Sequence, residues 1–66
     1  MEKKQTWRIV AINTESVIVN TCSDLDVIKS KSLELMKSGE DSKYRIQYFE
    51  NDMIIETVEL TVYFNY

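Results

Sequence analysis

Residues 23–39 constrain this chain more than any other stretch, because they read as one helix and nearly everything outside them reads as strand. Ser23-Asp24-Leu25-Asp26 puts a hydroxyl at the N-cap and two carboxylates in the first turn, where the positive end of the helix dipole favours them. With Leu25 at 0° and an advance of ~100° per residue, Ile28, Ser32, Leu33, Leu35 and Met36 fall within about 80° of it. That stripe faces a core. Ser30, Lys31, Glu34 and Ser38 face away, Lys37 suits the dipole in the last turn, and the sole glycine, Gly39, is placed to end the helix in the left-handed conformation.

The flanks carry strand signals. Thr6-Trp7-Arg8-Ile9-Val10-Ala11-Ile12 is rich in strand formers, Asn13-Thr14-Glu15-Ser16 supplies a turn, and Val17-Ile18-Val19 resumes the strand character, which predicts a hairpin. After Gly39, Tyr44, Ile46 and Tyr48 alternate with Arg45 and Gln47. Glu50-Asn51-Asp52 is the turn of a second hairpin, beyond which the even positions Ile54, Glu56, Val58, Leu60, Val62 and Phe64 are expected to face inward as one strand.

This order predicts an α+β fold: a two-layer, antiparallel four-stranded sheet (β-β-α-β-β) with one helix packed on one face, in a single domain over 1–66, residues 1–5 forming a loose N-terminus. The expected core is Ile9, Val10, Val17, Val19, Leu25, Ile28, Leu35, Met36, Tyr44, Ile46, Tyr48, Val58, Leu60, Val62 and Phe64. The first strand is apolar on both faces, at Trp7, Ile9, Val10 and Ile12, as a central strand or one covered by another chain would be. A chain of 66 residues buries only about 60% of the surface its unfolded form exposes, so a homodimer would relieve a thin margin of stability.

Composition removes whole classes of chemistry. The sequence holds no histidine, so no histidine-based triad and no imidazole ligand can be built. Cys22 is the single cysteine, which leaves no intramolecular disulfide and no structural zinc site. It reads as a small half-buried strand residue in a reducing, cytoplasmic setting. One glycine cannot make a glycine-rich phosphate loop, and no cofactor is expected. The run from Trp7 to Ile12 is interrupted by Arg8 and is no signal-peptide core, and no apolar run is long enough to span a membrane.

Close carboxylate pairs are Asp24/Asp26, Glu40/Asp41, Glu50/Asp52 and Glu56/Glu59, and each has a plain explanation in a helix start, a loop, a turn or a solvent-facing strand position. Catalysis is not expected, and neither is a small-molecule substrate. Charge is uneven: residues 1–39 hold five acids and six bases, whereas residues 40–66 hold six acids and two bases. Charged side chains protect sheet edges from unwanted pairing, and a concentrated negative half also steers an electropositive partner. Direct nucleic-acid binding is the less favoured reading, because Arg8, Lys43 and Arg45 beside Trp7, Phe49 and Tyr63 make a sparse basic footprint in a chain of net charge −3.

Acidic and aromatic residues of the second hairpin are therefore the expected partner-binding set: Glu50, Asp52, Ile55, Glu56, Glu59 and Tyr63, with Tyr63 exposed beside Ile55. The expected partner is a larger protein with a basic surface. Compact, acidic, single-domain chains of this kind look like the small inhibitors that bacteriophages and mobile elements use against host nucleic-acid enzymes, CRISPR nucleases among them. That likeness, one of size and charge, implies a non-enzymatic inhibitor that blocks a nucleic-acid-binding surface in the host cytoplasm. The alternatives are a small nucleic-acid-binding or regulatory domain using the open sheet face, and a structural homodimer.

Overall fold

The structure, a computed structural model, describes residues 3–63. It contains β1 (Gln5–Ala11), β2 (Val17–Cys22), α1 (Leu25–Lys37), a single 3-10 turn (Asp41–Lys43), β3 (Tyr44–Glu50), β4 (Met53–Glu59) and a short α2 (Leu60–Tyr63). The four strands form one antiparallel sheet in the order β2-β1-β3-β4, and α1 packs on one face of it. β1 is a central strand, as one of the two readings of its apolar faces required, and Ile12 lies beyond it and is exposed. No helix among the described residues is long and apolar enough to cross a membrane.

The core lies between α1 and the sheet. Ile9 of β1, Ile46 of β3, Leu60 of α2 and Ile28, Leu35 and Met36 of α1 are buried together, with Trp7, Val19, Cys22, Leu33, Tyr44, Val58 and Tyr63 packed around them. Burying these side chains yields most of the driving force, at roughly 25 cal/mol per Å² of apolar surface. The i, i+4, i+7, i+8 spacing of Ile28, Ser32, Leu35 and Met36 is the buried face of α1. Leu25 lies outside it and is exposed, as are Val17 and Val62.

Both ends of α1 are capped. Asp24, rather than Ser23, is the N-cap, its Oδ1 accepting from Asp26 N at 3.0 Å. Gly39 adopts φ 76° just past the helix. There its N–H donates to Met36 O at 3.1 Å while Glu40 N–H donates to Leu35 O at 3.0 Å, the paired bonds of a Schellman motif.

The extent of the last strand is corrected as well. The last strand stops at Glu59, and Leu60 enters the core from α2 instead of continuing the alternation. Phe64, expected in the core, lies outside the described residues. Near the start of the described residues, Lys4 N donates to Asn51 Oδ1 at 3.0 Å, Asn51 N donates to Lys4 O at 2.9 Å, and Gln5 belongs to β1.

Candidate functional site

The β3–β4 hairpin turns on Asn51 and Asp52, whose φ values of 53° and 68° are both left-handed. That is the geometry of a two-residue hairpin whose twist matches its strands, and it normally selects Asn-Gly. Beyond the turn, Glu50 pairs with Met53, Phe49 with Ile54 and Tyr48 with Glu56, so β4 has one more residue than β3 across this step. The extra residue is a bulge at Ile55. It offsets the alternation, which is why Ile54 does not reach the core.

The result is an unbroken apolar run on an outer strand. Met53, Ile54 and Ile55 are 69%, 52% and 52% exposed. Carboxylates bound the run on both sides, Asp52 before it and Glu56 after it. An exposed aliphatic triplet on a sheet edge is a feature that soluble proteins otherwise suppress. Met53 and Ile54 were absent from the set expected from sequence; the signal was an apolar triplet immediately after a turn, with no polar residue to alternate with.

The expected site residues are distributed as follows. Glu50 ends β3, where Tyr48 Oη donates to its Oε2 at 2.7 Å and Lys3 Nζ stands 3.7 Å from its Oε1. Asp52, at the tip, has Lys4 Nζ at 3.8 Å. Glu56 pairs with Tyr48 on the helix side of the sheet and accepts from Tyr63 Oη at 2.8 Å. Glu59 pairs with Arg45 on the opposite, open side. The six residues therefore do not share one face. What links five of them is the β4 side of the sheet: Ile55, Glu56 and Glu59 lie on β4, with Glu59 at its far end, and Glu50 and Asp52 flank its start. Tyr63 is half-buried in α2 and not the free ring that the alternation implied.

Aromatic rings fix the helix side of this end. Trp7 and Tyr48 pack with centroids 5.6 Å apart at 33°. Gln5 Nε2 donates to Tyr48 Oη at 3.0 Å. Donation to Glu50, with some burial, raises the Tyr48 hydroxyl above its ordinary range. Burial, then the bond to Glu56, pushes Tyr63 up to about 12, with a Trp7 hydrogen bond acting weakly in the other direction. Near neutral pH both hydroxyls are donors that hold the carboxylates in place.

The open face is a different surface. Arg8 lies over the Phe49 ring, 5.1 Å from its centroid, and its Nε donates to Gln47. Arg45 donates to the carbonyls of Ser42 and Tyr44 at 2.9 and 2.8 Å. A groove of about 520 Å³ runs over this face, floored by Val10 and Val17 with Arg8 and Glu15 among its walls. Among the described residues, no group of three or more His, Cys, Asp or Glu side chains is placed to hold a metal ion. No protein-family model matches this chain, and comparison with curated proteins and with solved structures returned no match.

Proposed function

We propose that this chain is a non-enzymatic protein-interaction module that docks through its β4 edge onto an electropositive surface of a larger protein. It acts as a small inhibitor does when it covers a nucleic-acid-binding surface, in the cytoplasm of the cell that hosts it. The observation that carries this reading is the exposed Met53-Ile54-Ile55 run on an outer strand, set between Asp52 and Glu56. An apolar centre with a charged rim is the composition of a binding hot spot and its surround.

The lysine pairs at the tip do not cancel this rim. The Lys3–Glu50 and Lys4–Asp52 contacts are 3.7 and 3.8 Å long and involve exposed lysines, so each stabilises by at most about 1 kcal/mol and yields readily to a better partner. Glu56 and Glu59 form no ion pair among the described residues.

A photo-crosslinking residue placed at Ile55, and separately at Ile18 on the other edge, tests the reading in lysate of the host cell. Protein adducts from position 55 that survive nuclease and fade at high salt are expected, with none from position 18. Equal adducts from both positions, or adducts to nucleic acid alone, would remove the β4 edge from consideration. The second reading, nucleic acid on the open face, is favoured by Arg8, Arg45 and Phe49 lying together there; it requires a steep salt slope that weakens in Arg8→Ala and Arg45→Ala. Self-association through the same edge is read out by light scattering.

A further inference from the structure

We propose that the free edge of β4 accepts an extended segment of the partner as an added antiparallel strand, one bearing lysine or arginine at two positions three residues apart. This rests on β4 being the docking edge and specifies how the edge is used. A strand with one unpaired side offers a row of backbone donors and acceptors that another extended chain can satisfy.

The two edges of the sheet are not equivalent in this respect. On β2 the register shifts twice within a few residues, between the Trp7↔Cys22 and Ile9↔Val19 pairs and again before Val10↔Val17. Each shift adds a residue to β2, so its outward groups are irregular and pairing is discouraged. On β4 the single bulge precedes an uninterrupted ladder, with Glu56, Thr57, Val58 and Glu59 opposite Tyr48, Gln47, Ile46 and Arg45. Among the described residues nothing pairs with the outer side of that ladder.

Charge then selects the occupant. A second copy pairing edge to edge through β4 supplies no cation to either carboxylate, because Met53–Glu59 contains no lysine or arginine. A different chain with cations at those two places meets both carboxylates. Because Glu56 lies on the helix side and Glu59 on the open side, the two cations must project from opposite faces of the added strand. Spacing by three achieves this and spacing by two does not.

The test uses the full chain and short valine- and threonine-rich peptides, with binding followed by fluorescence anisotropy and by amide exchange of β4. A peptide with two lysines three positions apart is expected to bind and to protect β4 amides. Moving the lysines to two positions apart, or methylating the backbone nitrogens along one edge of the peptide, is expected to weaken binding by roughly tenfold or more. The Glu56→Lys/Glu59→Lys variant should lose this peptide and gain the matching glutamate peptide; Glu59→Lys alone serves if the loss of the Tyr63 bond unfolds the double variant. Binding indifferent to backbone methylation would overturn strand addition, while position-55 crosslinks in lysate would still support docking by side chains. Binding indifferent to lysine spacing, or absent altogether, would likewise overturn the proposal.

Discussion

Ser32 is fully buried on the α1 face that meets the sheet, and its hydroxyl has no hydrogen-bond partner among the described residues. Thr6 of β1, opposite Phe49, is 5% exposed, and its Oγ1 is likewise without a partner among the described residues. An unsatisfied buried hydroxyl costs about 1–3 kcal/mol, and removing the polar atom recovers part of this. Ser32→Ala and Thr6→Val are each expected to raise stability by about 1 kcal/mol in urea denaturation, and a fall in either would show that a partner exists. Helical spacing placed Ser32 on the buried stripe, but pairing of a side-chain hydroxyl depends on atoms from distant segments that spacing does not encode. Tyr63 supplies a pH dependence. Its hydroxyl is raised to about 12 in the folded chain, above the ordinary value of 10.0. The folded state thus retains the proton longer, and the stability it contributes is present below about pH 10 and lost as pH rises through about 12. Urea midpoints measured from about pH 9 to about pH 12 should fall less steeply in Tyr63→Phe. An identical fall would mean that Tyr63 titrates alike in both states.

At the level of elements, the helix was legible because its start, stripe and stop are all local. The Schellman bonds at Gly39 make a specific demand: with φ at 76° and nothing within 4 Å of an added Cβ, Gly39→Ala carries a backbone penalty without a clash. It is expected to cost about 1 kcal/mol, and a neutral result would show that the helix ends otherwise. At the β3–β4 turn the demand is reversed, since Asp52 holds a left-handed conformation that glycine adopts freely. Asp52→Gly should stabilise the hairpin by about 0.5–1 kcal/mol despite the lost Lys4 contact, measured by thermal melting. The alternation of Tyr44, Ile46 and Tyr48 marked β3 correctly. It misled beyond Glu59, because Leu60 and Val62 continue a two-residue period whether the backbone is a strand or a single helical turn. The bulge at Ile55 was hidden for a related reason: an extra residue leaves composition untouched and changes only which side the next residue takes. That is also why the exposed β4 edge was half legible, with Ile55 and the carboxylates expected in the proposed site and Met53 and Ile54 not.

For the whole molecule, the acidity of residues 40–66 divides into a tip, where Glu50 and Asp52 stand near Lys3 and Lys4, and an edge, where Glu56 and Glu59 form no ion pair among the described residues. Glu50→Lys with Asp52→Lys would gather four cations with Lys3 and Lys4 and is expected to loosen the hairpin end. Glu56→Lys with Glu59→Lys keeps the sheet and is expected to slow partner association by roughly tenfold at low salt, with the difference vanishing as salt rises. Equal on-rates for the wild-type chain and this variant would exclude electrostatic steering by β4. The most direct measurement is amide hydrogen exchange on both edge strands, first with the chain alone and then with its captured partner. Protection gained across Met53–Glu59, with Val17–Cys22 exchanging as before, is the expected result. Protection confined to β2, or to the open face around Arg8 and Arg45, would contradict docking at β4.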